Sequence, residues 1–148
     1  MKTSNKGLEL IKEFEGFRSK PYLDAVGVPT IGYGATYYPD GKKVTMKDKP
    51  ISEELATKLL AEMVEDFEKG VEKTIKKTLN QNQFDALVSF SYNLGNGALA
   101  SSTLAKRVNA NPCDPDIKNQ FMRWVNAGGK KLPGLVRRRE AEAKLYFS

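Results

Sequence analysis

The chain has 148 residues, a formal net charge of +6, one cysteine and no histidine. This length suits one compact domain, or two small lobes that share a core, and the 40% of hydrophobic residues is enough to build that core. The absence of histidine excludes Ser-His-Asp and Cys-His catalysis, histidine-ligated zinc and histidine general bases, so any acid–base chemistry falls to carboxylates, lysine or tyrosine.

The cysteine content and the hydropathy pattern set further limits. Cys113 has no second cysteine with which to form a disulfide or a cysteine metal cluster. The longest apolar stretches are too short to span a bilayer, and the polar residues 1–5 lack the apolar core of a signal peptide. We therefore expect a chain made without a membrane segment or export signal, which another factor must release if it acts outside the cytoplasm.

The charges are distributed unevenly along the chain. Residues 51–80 carry seven acidic and five basic side chains, whereas both ends of the chain are basic. This pattern favours an anionic polymer as the partner: nucleic acid, an acidic membrane surface or an acidic cell-wall glycan. Basic faces also occur on proteins that bind no polyanion, so charge alone does not choose among these.

The first predicted element is a helix over residues 5–14, where apolar residues recur at helical spacing behind Asn5 as the N-cap. Gly16 marks its end. Residues 21–44 are rich in tyrosine, valine, threonine and isoleucine and are interrupted by glycines and prolines. This composition predicts a small antiparallel sheet with tight turns.

The second half of the chain is predicted to be helical. From Ser52, an N-cap followed by two glutamates, an apolar stripe reaches Leu79 and predicts one helix of about 28 residues, or roughly 40 Å at 1.5 Å per residue. The alternative is two shorter helices broken at Gly70. Further helical patterns follow from residue 81, with the last one beginning at Pro133, and Gly128-Gly129 serves as a connector.

Together these elements predict a mainly helical α+β fold of one domain. A small sheet lobe covers about residues 13–55, a linking helix covers 52–80, and a helical lobe is formed by 81–148 with 1–12. We expect a cleft between the two lobes.

Three polar side chains stand out from the solvated charges. Glu15 ends an amphipathic helix between apolar neighbours, an environment that favours a protonated carboxyl group. Asp24 lies nine residues further on at the edge of the sheet, and Thr30 six residues after that in a glycine-bounded strand. Two carboxyl groups that face each other across a cleft are what glycoside hydrolysis requires. The spacing is equally compatible with a salt-bridged helix end, an aspartate in an Asx turn and a threonine chosen for β propensity.

The segments around these residues are Glu15-Gly16-Phe17-Arg18, Tyr22-Leu23-Asp24 and the run from Gly27 to Gly34. Together they resemble the catalytic signature of the phage-type lysozymes, the endolysins or muramidases of double-stranded DNA phages (glycoside hydrolase family 24). The resemblance covers nearly the whole chain, since it continues in Ser89–Gly95, Ser102–Leu104, residues 121–129 and residues 134–140. Three elements at fixed intervals are more specific than any single short motif.

The resemblance implies a lysozyme-like fold and a role for each of the three residues. Glu15 would be the general acid that protonates the glycosidic oxygen, Asp24 the carboxylate that activates or orients the attacking water, and Thr30 the hydroxyl that holds this water. The family inverts the anomeric carbon, which implies a carboxyl separation of roughly 6.5–9.5 Å. The implied substrate is the β-1,4 bond between N-acetylmuramic acid and N-acetylglucosamine in bacterial peptidoglycan. No metal or organic cofactor is expected.

The resemblance also implies supporting residues. Asn93 matches a cleft-lining amide position of the family, although a polar residue at a helix end explains it equally well. The expected substrate-binding residues are Asn93, Tyr33 and Ser89, of which the last two fit either core or cleft. One arginine of the Arg137-Arg138-Arg139 triplet, with Arg137 and Arg138 as the expected supporting residues, would approach Glu15 as a bidentate partner.

The predicted biology is host-cell lysis by a monomeric endolysin that binds peptidoglycan and no nucleic acid. It would stay in the host bacterial cytoplasm until a separate holin-type pore protein released it to the periplasm and cell wall. Two alternatives remain open at this point. The chain would be a hydrolase of a related β-1,4 aminosugar polymer such as chitin, or a non-catalytic basic module that binds polyanions or cell wall. No recognisable nucleic-acid reader motif supports the second of these.

Overall fold

A computed structural model describes residues 1–148 and consists of eight helices with two small antiparallel sheets. The predicted α+β, mainly helical class is confirmed. The N-terminal half contains α1 (Asn5–Glu15), β1 (Arg18–Leu23), β2 (Pro29–Gly32), α2 (Glu53–Met63) and α3 (Glu65–Thr74). The C-terminal half contains α4 (Gln81–Leu94), α5 (Asn96–Ser101), α6 (Thr103–Ala110), α7 (Asp116–Phe121), β3 (Asn126–Ala127), β4 (Lys130–Lys131) and α8 (Pro133–Tyr146).

The N-cap of helix α1 lies one residue before the predicted Asn5, and the helix ends at Glu15, one residue later than predicted. Ser4, rather than Asn5, is the N-cap: its hydroxyl accepts a hydrogen bond from the Gly7 N–H at 3.3 Å and donates one to the Asp85 carboxylate of α4. The Ser4 N–H donates to the same carboxylate at 3.1 Å. The helix stops at Glu15 because Gly16 adopts a φ of 75°, a conformation that glycine reaches at little cost.

Strands β1 and β2 form a hairpin in which Tyr22 pairs with Thr30 and Leu23 with Pro29. The chain then folds back through an isolated bridge between Ile31 and Ala35. A small apolar cluster supports this region and is completed by a residue of α2; its buried members are Ile31, Ala35, Val44 and Leu59. The sheet lobe is therefore held by the linking helix as well as by its own strands.

The single linking helix predicted over residues 52–80 is instead two helices, α2 and α3, and it ends earlier than expected. Ser52 is the N-cap, as predicted, but the interruption is at Val64, not at Gly70. Val64 keeps a helical φ of −70° with ψ at −16°, and the acidic residues after it suit the positive N-terminus of a new helix. The end at Thr74 depends on a distant side chain: the Asn109 amide donates to the Thr74 carbonyl at 3.0 Å and accepts from the Lys76 N–H at 2.7 Å.

The main core lies around α4, whose residues 83–91 are all buried. Helices α1, α3 and α8 pack against it. Three aromatic rings pack edge to face in this core. The Phe90 ring centroid lies 5.9 Å from that of Phe121 and 5.4 Å from that of Trp124. Helix α4 thus connects the packing of the helical lobe to the linking helices.

The connector at Gly128-Gly129 is in fact the turn of a second hairpin. Asn126 pairs with Lys131 and Ala127 with Lys130, and both glycines have positive φ, 60° and 77°, which a two-residue hairpin turn requires. The hairpin leads directly into α8, where Pro133 lies in the first turn as predicted.

Candidate active site

Glu15 lies where α1 meets the sheet lobe and the helical lobe. Its side chain is 25% exposed, and its Oε2 accepts a hydrogen bond from Arg138 Nη1 at 2.6 Å. The backbone of Gly34 comes so close that a Cβ there would lie 3.9 Å from Glu15 Oε1 and 3.4 Å from the Tyr92 hydroxyl. A carboxyl group is thereby held at the junction between the lobes with part of its surface open to solvent.

Two cavities border this carboxyl group. One, of about 580 Å³, is lined by the end of α1, by Asn93 and by the start of α8 with Arg137 and Arg138. The other, of about 410 Å³, lies between the two lobes and is lined by Gly34, Met63, Asp66, Phe67 and Tyr92 as well as Glu15. A ligand that occupies this region reaches Glu15 from either side.

Arg138 is the arginine of the triplet that lies next to Glu15. The contact uses a single nitrogen rather than the bidentate geometry that we expected. Arg137 is exposed, lines the same cavity and makes no ion pair. Arg139 is fully buried, and its Nε donates to the Trp124 carbonyl at 3.0 Å.

A buried ionic network lies beneath Glu15, and its centre is Glu142, which has no exposed surface. Its Oε2 accepts from Arg138 Nε at 3.3 Å and from the Ser89 hydroxyl at 2.6 Å, while its Oε1 pairs with Arg139 Nη1. Burial lowers the pKa of the Arg139 guanidinium below its usual value, and the attraction and hydrogen bond of Glu142 oppose this effect. The two guanidinium groups thus share one fully buried carboxylate, and the partly exposed carboxyl group of Glu15 lies at the edge of this cluster.

Ser89 and Asn93, two of the expected substrate-binding residues, have different surroundings. Ser89 is fully buried: its hydroxyl donates to Glu142, and its carbonyl accepts from Arg138 at 3.2 Å. Its position is thus inside the network and not on a surface that substrate touches. Asn93 is half-buried and lines the larger cavity beside Glu15; its Oδ1 accepts from Arg139, and its amide nitrogen makes no hydrogen bond within the protein.

The ring of Tyr33 lines neither of the two cavities that border Glu15. It is 4% exposed and lines a third cavity of about 620 Å³, to which other residues of α1 contribute but Glu15 does not. Burial raises the pKa of the Tyr33 phenol, and the nearby carboxylate of Glu53 adds to this rise. Its carbonyl accepts from the Tyr92 hydroxyl at 2.9 Å, a hydrogen bond that joins the two lobes next to Glu15. The backbone of Tyr33, rather than its ring, therefore lies near the site.

Asp24 and Thr30 lie on the β1–β2 hairpin. Asp24 Oδ1 accepts from the N–H groups of Val26 and Val28, both at 2.9 Å, which is the geometry of an Asx turn, and its Oδ2 has no protein partner. Thr30 is 3% exposed, and its hydroxyl donates to the Val28 carbonyl at 2.8 Å. Neither residue lines the two cavities that border Glu15.

Two residues of the site were missed at the level of sequence. Glu142 was not singled out, although its spacing of four from Arg138 and three from Arg139 was a usable signal. Tyr92 carries a pKa raised above its usual range, chiefly by burial and next by the charge of Glu15, so it acts as a neutral hydrogen-bond donor.

No group of three or more acidic or cysteine side chains is arranged to hold a metal ion. No helix is both long and apolar enough to cross a membrane.

Comparison with known proteins decides the family. The family model described as phage lysozyme matches residues 12–142. The chain belongs to the phage lysozyme family.

Relatives and solved structures agree with this assignment. The chain is 45% identical over 148 residues to the endolysin of Bacillus phage B103 and spans 55% of that protein, slightly more than half its length. It superimposes with a TM-score of 0.89 on the endolysin of Escherichia coli O157:H7 phage FAHEc1, at 42% identity, covering all of this chain and 94% of that one. A mutant of P22 lysozyme matches with a TM-score of 0.91 at 35% identity, covering 100% and 99% of the two chains. The lysozyme-like fold implied by the sequence is thus confirmed.

Proposed function

We propose that this phage lysozyme family member hydrolyses the β-1,4 bond between N-acetylmuramic acid and N-acetylglucosamine in bacterial peptidoglycan, as an endolysin that lyses the host cell. The observation that carries this proposal is the carboxyl group of Glu15. It is partly exposed at the junction of two cavities and contacts the guanidinium of Arg138 at 2.6 Å. Family membership supports the same activity.

Glu15 serves as the general acid. It transfers its proton to the glycosidic oxygen as the bond to the leaving sugar breaks, and it becomes a carboxylate. Because Arg138 already contacts the carboxyl oxygen, it stabilises the negative charge that develops, and little rearrangement is needed during the reaction.

Asp24 and Thr30 serve the attacking water. The two backbone amides that hold Asp24 Oδ1 fix the carboxylate plane, and Oδ2 remains available to accept a proton from water. The Thr30 hydroxyl uses its hydrogen for the Val28 carbonyl, which leaves its lone pairs to accept a hydrogen bond from that water. The resulting attack from the face opposite the leaving group inverts the anomeric carbon, and this requires a carboxyl separation of roughly 6.5–9.5 Å. Asn93 binds sugar hydroxyl or acetamido groups through its free amide nitrogen.

The test compares wild-type chain with Glu15→Gln on purified peptidoglycan, with reducing ends measured. Glu9→Gln is the matched control, since Glu9 is exposed on the same helix and pairs only with Lys12. We expect Glu15→Gln to lose at least about 100-fold in kcat, the scale of general-acid catalysis, and Glu9→Gln to retain it. Nuclear magnetic resonance of the first-formed product should show the inverted anomer.

Two outcomes would overturn the proposal. Hydrolysis of chito-oligosaccharides without hydrolysis of peptidoglycan would replace it with a chitin-type activity. A Glu15→Gln protein that lyses chloroform-treated Gram-negative cells as fast as wild type would point instead to a charge-driven, non-catalytic action of the basic surface.

The route to the cell wall is part of the proposal. The chain acts as a monomer, accumulates in the host cytoplasm and passes to the periplasm through a holin-type pore made by a separate protein. Fractionation during expression should find it outside the cytoplasm only after the inner membrane is permeabilised. Its appearance in the periplasm of cells with an intact membrane would contradict this route.

A further inference from the structure

The buried carboxylate of Glu142 connects two residues of the candidate site that share no hydrogen bond with each other. Through Arg138 it reaches Glu15, and through Arg139 it reaches Asn93, whose Oδ1 accepts from Arg139 Nη2. Glu142 itself has no exposed surface and no contact with either cavity beside Glu15. It is therefore too deep to touch a ligand.

The charge balance explains why a carboxylate is needed at this position. Arg138 is 3% exposed and Arg139 is fully buried, and two like charges on adjacent residues of a helix are costly to bury without a counterion. Glu142 pairs with both, and it accepts a further hydrogen bond from Ser89. Of the three guanidinium nitrogens of Arg138, only Nη1 donates to Glu15.

We infer that Glu142 is a positioning residue for the proposed reaction: it holds Arg138 at a fixed distance from Glu15 and offsets part of the positive charge that Arg138 presents to it. The expected effect of Glu142 on kcat rests on the proposed function. The expected effect of Glu142 on the ionisation of Glu15 does not depend on any activity. The other charged or titratable side chains that border the cavities at Glu15 are Glu13, Arg137, Asp66 and Tyr92, and none of them forms a hydrogen bond or ion pair with Glu142.

The variant Glu142→Gln removes the negative charge with almost no change in volume. The positive charge of Arg138 next to Glu15 is then no longer offset, and the amide keeps only one of the two oxygens that accept hydrogen bonds from Arg138, Arg139 and Ser89. We expect kcat on peptidoglycan to fall about 10- to 100-fold, the scale of a misplaced catalytic group. The alkaline limb of the kcat profile should move to lower pH, because a more positive surrounding favours the ionised form of Glu15.

The matched control is Glu140→Gln, the same chemical change two residues away on the exposed face of α8, where Glu140 makes no ion pair. It should keep the kcat and the pH profile of the wild type. A direct readout follows the Glu15 carboxyl carbon by nuclear magnetic resonance during an acid titration. Its midpoint should be lower in Glu142→Gln than in Glu140→Gln, an effect that a loss of packing alone does not produce.

If Glu142→Gln does not fold, Ser89→Ala carries the test, because it deletes the hydrogen bond to Glu142 and a 3.4 Å hydrogen bond from Arg138 Nη2 without a change of charge. It should lower kcat several-fold and leave the titration midpoint of Glu15 in place. Equal kcat in an active wild type and in either folded variant, or an unchanged Glu15 midpoint in folded Glu142→Gln, would refute the role of Glu142. An inactive wild type would refute the proposed function instead.

Discussion

Gly70 is the residue at which the alternative interpretation of the sequence broke the linking helix, but in the structure the helix continues through it. It lies inside α3, and the side chain of Asn96 packs directly against it. A Cβ at Gly70 would lie 2.1 Å from Asn96 Oδ1 and 2.4 Å from its Cγ, well inside van der Waals contact. The variant Gly70→Ala therefore tests whether this close approach or helix propensity decides the stability of α3.

The two effects have opposite signs and comparable size. Replacing glycine by alanine in a helix interior stabilises by about 1 kcal/mol. The new methyl group must displace the Asn96 amide, which donates to the Asp66 carbonyl at 3.2 Å; losing that bond costs about 1 kcal/mol, and overpacking costs about 1–3 kcal/mol. We expect Gly70→Ala to lower the free energy of unfolding by about 1–3 kcal/mol.

The variant Asn96→Ala supplies the control, because it removes the three side-chain atoms that lie nearest to the new methyl group. It should cost little alone, since Asn96 Oδ1 is buried without a hydrogen-bond partner and its removal offsets the lost bond to Asp66. In this background Gly70→Ala should become stabilising by about 1 kcal/mol.

Urea unfolding of the wild type, both single variants and the double variant, followed by circular dichroism, measures the coupling directly. The coupling energy between the two positions should be about 2–4 kcal/mol. The reasoning fails if Gly70→Ala stabilises the wild type and the Asn96→Ala protein by the same amount.

Three further predictions concern stability. Hydrogen bonds from Thr45 and then from Tyr38 lower the pKa of Asp48, so the stability that Asp48 provides is present above its unfolded pKa and is lost as the pH falls through the folded one. The melting temperatures of wild type and Asp48→Asn should therefore differ at pH 7 and converge in acid; a constant difference would contradict this. Ser52→Ala, which removes the 3.1 Å N-cap bond of α2, should cost about 1 kcal/mol in urea unfolding, and Ser52→Asp should restore most of it. Phe121→Ala empties a fully buried aromatic position and should cost about 3–5 kcal/mol; a loss below 1 kcal/mol would mean that the core collapses around the gap.

Local signals in the sequence predict much of this fold. The Ser52 cap, the Gly16 stop and the Pro133 start are each determined by residues within one turn of the helix end. The end of α3 is different, because the carbonyl of Thr74 is satisfied by Asn109, which lies 35 residues away in the sequence. Periodicity continues past Thr74, and nothing local marks where the helix stops.

The candidate site divides in the same way. The resemblance to a known family singled out Glu15, and the triplet of arginines indicated a partner for it. Which arginine contacts Glu15 depends on which side of α8 faces α4. Arg138 is positioned there because it donates to the Ser89 carbonyl and pairs with the Glu142 carboxylate. Burial of Ser89 follows from the same packing, and the sequence of α4 alone does not distinguish a core serine from one in a cleft.

The anchoring of α1 determines which parts of the molecule carry the two candidate carboxylates. Near its start Ser4 is bound to Asp85, and at its end Glu15 is bound to Arg138, so both ends are fastened to the helical lobe. Only residues 16–17 connect this helix to the strand that leads to Asp24. Along the chain, the two carboxyl groups are therefore joined only through this two-residue link and the strand that follows it, so their separation depends on how the hairpin is packed against α1. Under the proposed function, a sugar chain that contacts both elements would fix that separation, whereas a short fragment that contacts only one would not.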